Sequence, residues 1–211
     1  MKGSGPSPIC RGHAPQGTGI RTSMTTCLTT MGLVMTDDAN SGIAAMRVGM
    51  GFDAHRFSSP DSGRGLWLAC MRWEDAEAEG LTGLSGDSDG DVAAHALIDA
   101  LLSAAGLGDI GSFFGVGPQS KGAHMHGRDM IREISVMLAG NGWSVNGGSV
   151  VVVAQRPRVA PRRQDASVAM SQALGAPVTL TASTTDGMGF TGDGQGIAAM
   201  ATATLIQHTT L

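Results

Sequence analysis

Four stretches of the chain have the length and residue pattern of β-strands. Residues 47–57, with the sequence RVGMGFDAHRF, predict a first strand, and residues 66–71 predict a short second one. The run VVVV within residues 149–154 is short and β-branched, which is typical of a buried strand. Residues 178–185 alternate apolar and small polar residues with the period of a strand. The C-terminal segment GIAAMATATLIQ fits either a helix or a strand.

Three further stretches predict helices. The first opens at the sequence SDGD, where Ser88 or Asp89 is the expected N-cap and acidic residues fall in the first turn. A second ends near Gly140, and a weaker third covers about residues 163–174. The apolar residues at helical spacing in the first two are Ala94, Leu97, Ile98, Leu101, Leu102 and Ala105, then Met130, Ile131, Ile134, Met137 and Leu138. Strands and helices intermix, which predicts one α/β or α+β domain.

The composition permits a core and argues against several kinds of partner. Apolar residues make up 42% of the 211 residues but aromatic residues only 4%, so aliphatic side chains and Met must fill the core. The net charge is −4 and no basic segment carries interleaved aromatics, so no nucleic-acid partner is expected. No uninterrupted apolar run reaches 18 residues, so no membrane span is expected. Cys10, Cys27 and Cys70 lack paired spacing, which favours a reducing compartment and suggests neither a zinc ligand nor a nucleophile.

Residues 1–45 differ from the rest of the chain. They contain no acidic residue before Asp37, they show no sustained period, and disorder is expected there. They fit a transit peptide, which would allow a plastid location, or a linker left from a fusion with another domain. They also fit translation from an upstream start codon, and this is favoured because the domain pattern begins abruptly at Met46. The folded domain is therefore expected at residues 46–211.

A candidate metal site combines the first strand with the first helix. Asp53 and His55 are two residues apart on the strand, so their side chains point to the same face. His95 lies on the helix face opposite the apolar stripe, with Asp91 and Asp99 one turn before and after it. One carboxylate and two imidazoles suit a zinc ion that keeps an open position. When each segment is considered alone, Asp53 and His55 are equally explained as a chance D-x-H pair, and His95 as a solvated surface histidine.

Four motifs connect these segments. They are GMGFDAHRF at residues 49–57, GDSDGDVAAHALIDALLSAAGLGDIG at 86–111, AQRPRVAP at 154–161 and TASTTDGMGFTGDGQG at 181–196. Their order and spacing resemble the 2-C-methyl-D-erythritol 2,4-cyclodiphosphate synthases, zinc-dependent phosphorus–oxygen lyases of non-mevalonate isoprenoid biosynthesis. Details such as LWLA and STTDGMG resemble the actinobacterial branch, which favours a bacterial cytoplasm. The resemblance implies an α+β domain with a mixed four-stranded sheet and helices on one face, in a homotrimer whose sheets face the central axis.

The resemblance also implies a reaction. In this family the 2-phosphate of 4-diphosphocytidyl-2-C-methyl-D-erythritol 2-phosphate attacks the β-phosphorus, CMP leaves, and a cyclic diphosphate forms. Such a reaction needs no protein nucleophile, because catalysis lies in aligning a flexible polyanion and neutralising its charge. The active sites of the family lie between neighbouring subunits.

Individual residues match functional positions of the family. Asp53, His55 and His95 match the zinc ligands, and Asp186 matches an acid that holds a second cation, Mg²⁺ or Mn²⁺, on the substrate diphosphate. Thr184 matches a threonine that stabilises the transition state. The matched substrate contacts, with 154–160 as the cytidine pocket, are Ser88, Asp109, Ile110, Gly111, Phe114, Ala154, Gln155, Arg156, Pro157, Arg158, Val159, Ala160, Ser183, Thr185, Phe190 and Asp193.

Three departures from the family pattern bear on activity. Asp87 occupies the position of a catalytic histidine that contacts the substrate phosphate, and a like-charge pair ~4 Å apart costs ~4 kcal/mol at an effective dielectric constant near 20. Asp193 and Gln195 replace an arginine and a glutamate near the trimer cavity, where a prenyl diphosphate can bind in the family. Residues 115–116 replace a Pro-Asp pair. The alternative to an active cyclase is therefore a catalytically impaired trimer that still binds metal and cytidine nucleotides.

Overall fold

The elements of the fold confirm most of the predicted strands and helices. The computed structural model describes residues 45–208, so the prediction for residues 1–45 lies outside this range except at its last residue. The elements are β1 (Met46–Arg56), β2 (Trp67–Leu68), β3 (Met71–Arg72), α1 (Glu74–Ala78), α2 (Val92–Ala105), α3 (Ile110–Phe114), α4 (Gly127–Gly140), β4 (Trp143–Val153), α5 (Arg163–Leu174), β5 (Val178–Ser183), α6 (Gly189–Gly192) and β6 (Gly196–Gln207). Among the described residues, no helix is long and apolar enough to span a membrane.

The central sheet contains four strands in the order β1-β6-β4-β5. The pairs β1–β6 and β6–β4 are antiparallel, whereas β4 and β5 are parallel, so the sheet is mixed and the fold is an α+β domain. The ambiguous C-terminal segment is β6, which lies between β1 and β4. Its alternate residues Ile197, Ala199, Ala201, Ala203 and Leu205 are all buried, which is the period of a strand.

Helix α2 packs directly on the backbone of β1. A Cβ atom at Gly49 would lie 2.1 Å from the carbonyl oxygen of Ala100. A Cβ atom at Gly51 would lie 2.0 Å from the carbonyl oxygen of Ala96. Only glycine permits this approach, so the odd-numbered residues of β1 face α2 and the even-numbered residues face away. This contact brings the polar end of β1 next to α2.

The N-cap of α2 is Asp91, so the prediction of Ser88 or Asp89 was wrong. The Asp91 side chain accepts hydrogen bonds from the backbone N–H groups of Ala93 and Ala94, and no acidic residue lies in the first turn. Ser88 and Asp89 cannot fill this role because their side chains bond elsewhere, to His95 and to the backbone of Gly127 respectively.

The predicted strand at residues 66–71 is a hairpin, in which β2 and β3 pair across a tight turn. Both turn residues, Ala69 and Cys70, are left-handed, with φ of 55° and 64°, a conformation that costs non-glycine residues energy. The Asp91 carboxylate accepts the N–H of Ala69 at 2.8 Å and that of Cys70 at 2.6 Å. One buried side chain thus stabilises both this turn and the start of α2.

Replacing Asp91 should destabilise the fold strongly. In the Asp91→Ala variant four backbone N–H groups lose their acceptor, two at the start of α2 and two in the strained turn. We expect a loss of ~3 kcal/mol or more in the free energy of unfolding. Denaturant unfolding monitored by circular dichroism measures this. Asp165→Ala, an exposed acid in the first turn of α5, is the control and should change stability by less than ~0.5 kcal/mol. Equal effects of the two substitutions would refute this role for Asp91.

Candidate metal centre

Three side chains converge where β1 meets α2. Asp53 Oδ2 lies 3.0 Å from His95 Nδ1 and 3.1 Å from His55 Nε2. The two ring nitrogens are 3.3 Å apart. His95 is only 6% exposed, so the alternative of a solvated surface histidine is wrong. The helix presents His95 to the strand because its close packing on Gly49 and Gly51 covers this face.

The donor atoms fit a metal ion. Among the described residues, this is the one group of three or more His, Cys, Asp or Glu side chains whose ligand atoms all lie within 4.8 Å of one another. Two nitrogens and one carboxylate oxygen about 2.0–2.1 Å from a tetrahedral zinc would be about 3.3–3.4 Å apart, which is close to the observed separations. Three protein ligands leave a fourth position for another oxygen, as at catalytic zinc sites. Asp91 and Asp99 flank His95 in sequence but are not part of this group.

The charges of these side chains are mutually dependent. Burial raises the pKa of Asp53, but the hydrogen bonds and positive charges of His55 and His95 outweigh it and hold this pKa well below its usual range. Burial lowers the pKa of His95, but the hydrogen bond and negative charge of Asp53 raise it further, with smaller contributions from Asp91 and Asp89, so the net shift is upward. The site therefore attracts positive charge.

A cavity of about 210 Å³ opens beside the three side chains. Besides the triad, it brings together five predicted catalytic or substrate-contacting residues and five residues that were not predicted to belong to the site. Its walls outside the triad are formed by Asp87, Ser88, Ile110, Gly111, Phe114, Gly115, Val116, Ser120, Gly122 and Met130. Met130 had been predicted only as a core residue, and Gly115 and Val116 had been noted only as a departure from the family pattern. Ser120 and Gly122 lie in a loop without a periodic signal. The cavity is large enough for a small polar group next to the metal position.

Three aspartates hold the loops around this cavity. Asp99 accepts the N–H of Ile110 at 2.8 Å, and Asp87 accepts the N–H of Gly117 at 2.7 Å. Asp109 caps α3 through Ser112, so its carboxylate positions the helix that carries part of the wall. The Asp87 carboxylate, which raised the concern of charge repulsion, is thus partly engaged by a backbone donor.

A second cavity, of about 490 Å³, contains most of the predicted cytidine pocket. It is lined by Ala154, Gln155, Pro157, Arg158, Val159, Ala160, Pro161, Ala182, Ser183 and Thr184. Next to it, the Thr184 hydroxyl donates to Asp186 Oδ1 at 2.9 Å. The Thr185 hydroxyl donates to the carbonyl of Met188 within the loop. The motifs of β4 and β5 therefore form one concave surface that carries hydroxyl groups and a carboxylate at its edge.

The remaining predicted residues lie around these two cavities. Arg156 points to the other side of its loop, where it forms an ion pair with Glu79, the residue that follows α1 and that the sequence did not indicate. Arg156 also lines a cavity with Asp193. Phe190 shares a cavity with His55 at the end of β1. The loop containing α6 thus borders both the end of β1 and residues 155–156.

The two halves of the predicted site lie at the same end of the sheet but at opposite edges. Strands β1, β4 and β5 run in the same direction, since β6 is antiparallel to both β1 and β4. Asp53 and His55 are near the end of edge strand β1, and Thr184 follows the end of edge strand β5. Three strand spacings of ~4.8 Å separate these edges by ~14 Å. The two cavities of one chain share no lining residue.

Cys70 fits the expectation that it is not a reactive residue. It is buried in the β2–β3 turn, and burial together with the negative charge of Asp91 raises the pKa of its thiol far above the usual value. The predictions for Cys10 and Cys27 lie outside the described residues.

Comparisons with known proteins agree with this geometry. The chain is 54% identical over 168 residues to the 2-C-methyl-D-erythritol 2,4-cyclodiphosphate synthase of Bifidobacterium longum, covering 77% of this chain and 97% of that protein. It is 46% identical over 159 residues to the synthase of the same name from Cutibacterium acnes, covering 75% and 89%. A solved structure described as a 2C-methyl-D-erythritol-2,4-cyclodiphosphate synthase in a CDP-bound form matches with a TM-score of 0.61 and 31% identity, over 75% of this chain and 99% of that one.

The sequence model of the YgbB family matches residues 46–206, which include all four motifs and both cavities. The chain therefore belongs to the YgbB family, together with the 2-C-methyl-D-erythritol 2,4-cyclodiphosphate synthases of actinobacteria.

Proposed function

We propose that this protein converts 4-diphosphocytidyl-2-C-methyl-D-erythritol 2-phosphate to 2-C-methyl-D-erythritol 2,4-cyclodiphosphate and CMP. The observation that carries the proposal is the convergence of Asp53, His55 and His95 beside a cavity, in a chain 54% identical to a named synthase over nearly that protein's whole length. In the reaction a bond forms between a 2-phosphate oxygen and the β-phosphorus. The bond from that phosphorus to the CMP oxygen breaks, and CMP leaves with the electron pair.

Zinc is the metal that best suits this donor set. Asp53, His55 and His95 offer one oxygen and two nitrogens, and a zinc ion held there supplies a Lewis acid for a phosphate oxygen. Asp186 offers only oxygen ligands, which suits Mg²⁺ or Mn²⁺ on the substrate diphosphate. The Thr184 hydroxyl, which bonds Asp186 in the present structure, is in a position to donate to the same diphosphate. The protein groups thus orient the polyanion and offset its charge.

The second cavity is the proposed cytidine site. All of residues 154–160 except Arg156 line this cavity, and the backbone groups of such a segment can read the edge of a base by hydrogen bonds. A related synthase, 31% identical, is described as a CDP-bound form, which supports a cytidine nucleotide as the ligand.

The exposed face of the sheet supports assembly into a homotrimer. Helices cover only one face, and the other presents a row of apolar side chains from β1 and β6. Met50 is 65% exposed and Phe52 is 59% exposed, and the row also includes Met46, Val48 and Met200. A row of this kind on the surface of a soluble domain marks an interaction site. Sheets that face a common axis would bury it.

The separation of the two half-sites supports the same assembly. The metal centre lies at the β1 edge and Thr184 at the β5 edge, and these edges are ~14 Å apart in one chain. In a closed ring of identical subunits the β1 edge of one subunit faces the β5 edge of the next, because such interfaces are heterologous. Each proposed active site is then completed by two subunits.

The impaired homologue is the second candidate function. It is favoured by Asp87 and Asp193, which place carboxylates where an anionic substrate must bind. The hydrogen bond from Gly117 to Asp87 reduces this penalty, and the three metal ligands, Thr184 and Asp186 are all present. These observations favour the active cyclase.

Turnover should depend on the metal ligands. We expect EDTA to abolish CMP release from the authentic substrate, and zinc with magnesium to restore it. In His95→Ala the rate of CMP release should fall at least 100-fold. Chromatography of released CMP measures this. The control is His208→Ala, which alters an exposed histidine after β6 and should change turnover less than twofold. Zinc and CMP binding by the wild-type protein without CMP release would instead establish the impaired homologue.

Zinc affinity should fall as the pH is lowered. Because the pKa of His95 is raised above its usual 6.5, zinc must displace a proton from this ring at pH values below the raised pKa, where the affinity should drop up to tenfold per pH unit. In the metal-free protein the trend reverses: the protonated His95 stabilises the fold fully below pH 6.5, and this contribution is lost as the pH rises through the raised pKa. Calorimetry at several pH values, in buffers of different ionisation enthalpy, counts the released protons. A constant affinity between pH 6 and 8 would contradict this.

A charge on the exposed sheet face should prevent assembly. The wild-type protein should have three times its chain mass of 21.5 kDa in analytical ultracentrifugation, and Met50→Glu should sediment as a monomer because the buried carboxylate costs several kcal/mol per subunit. Val136→Glu is the control, since Val136 is 74% exposed on α4 in the helical layer. A monomeric wild-type protein, or a Met50→Glu trimer, would rule out this interface.

A further inference from the structure

The side of His95 that faces away from Asp53 is held by Ser88. Ser88 Oγ lies 3.0 Å from His95 Nε2, and both residues are buried, at 8% and 6% exposure. The same oxygen also accepts the N–H of Gly90 at 3.2 Å. Ser88 had been expected to contact substrate, but its hydroxyl already makes two contacts within the protein.

This contact bears on which nitrogen of His95 is free to bind a metal. A neutral imidazole carries one proton, so Nδ1 has a free lone pair only when the proton is on Nε2. A serine hydroxyl can either donate or accept, and as the acceptor of the Nε2 proton the Ser88 oxygen stabilises this tautomer. Histidine ligands are generally fixed by such a contact to the second ring nitrogen.

Ser88 is itself held in place by a charged side chain from another loop. The Arg64 guanidinium donates through Nη2 to the carbonyl of Ser88 and through Nε to the carbonyl of Leu84 at 2.8 Å. Arg64 is half-buried, and its planar group fixes both ends of the segment 84–88. Arg64 therefore holds the backbone of Ser88, and the Ser88 hydroxyl in turn contacts the His95 ring.

We propose that Ser88 is a positioning residue that fixes the tautomer and orientation of His95 for metal binding, and that Arg64 fixes Ser88. This inference rests on the proposed metal site and assigns a new role within it. It predicts that removing the Ser88 hydroxyl weakens metal binding although Ser88 is not a ligand. Arg64, which lies outside the metal ligands and both cavities, should have a smaller effect of the same sign.

Zinc affinity of the full chain, measured by competition with a chromophoric chelator, tests this. Ser88→Ala should bind zinc 10–100-fold more weakly than the wild-type protein, which is the usual cost of losing such a contact. Arg64→Ala should lose several-fold. Ser85→Ala is the matched control, because Ser85 lies in the same loop as Ser88 but its hydroxyl contacts Ser58 and not the triad. The zinc affinity of this variant should change less than twofold. An unchanged affinity in Ser88→Ala would overturn the proposal.

A second measurement remains decisive if Ser88→Ala folds poorly. In the zinc-loaded wild-type protein with ¹⁵N-labelled histidine, nuclear magnetic resonance should show a slowly exchanging proton on His95 Nε2. A proton on Nδ1 would overturn the proposal. If the wild-type protein binds no zinc at all, the proposed metal site itself fails, which is a different outcome from a wild-type affinity that Ser88→Ala leaves unchanged.

Discussion

The close packing of α2 on the glycine positions of β1 is the contact on which the site depends. Side chains at Gly49 or Gly51 would push the helix away by at least ~1 Å, since their Cβ atoms would lie about 2 Å from helix carbonyl oxygens. The same approach places His95 within 3.0 Å of Asp53. Stabilisation of the core and assembly of the ligand set are thus one event, because the apolar face of α2 and its one buried histidine meet the same strand.

A second constraint is the buried Asp91. It caps α2 and holds the strained Ala69–Cys70 turn, so it fixes where the helix begins relative to the hairpin. His95 follows Asp91 by one helical turn, and its backbone N–H donates to the Asp91 carbonyl. The register of the metal ligand therefore depends on a cap four residues earlier. Arg64 and Ser88 act on the opposite side of the imidazole ring, so His95 is restrained from both its backbone and its ring.

Much of the fold could be predicted from the sequence, and the errors have physical causes. Period-two and period-3.6 patterns located β1, α2, α4, α5 and β5 because each buries one face. The short helices α1, α3 and α6 have only four or five residues, too few to show a period. The cap of α2 was misassigned because the serine and the two aspartates in SDGD are equivalent cap candidates by residue type, and only tertiary contacts distinguish Asp91. The segment of β6 was undecided because its small residues suit either element.

Only those site residues that lie within the four sequence motifs or close beside them could be predicted. The spacing of Asp53 and His55 predicted a shared face, but no local pattern connected them to His95, and His95 was placed opposite the buried stripe although the structure covers it almost completely. Arg64 and Glu79 were missed because an isolated charge in a loop has no signal before its partner is known. The division of the site between two sheet edges also required the strand order.

The most direct test of the account is the coordination of the metal in the purified protein. Metal analysis combined with zinc K-edge X-ray absorption should find one zinc per chain, bound by two imidazole nitrogens, one carboxylate oxygen and one further light atom. A protein that takes up no zinc after incubation with it, or a zinc shell without two imidazoles, would contradict the convergence of Asp53, His55 and His95 on one ion.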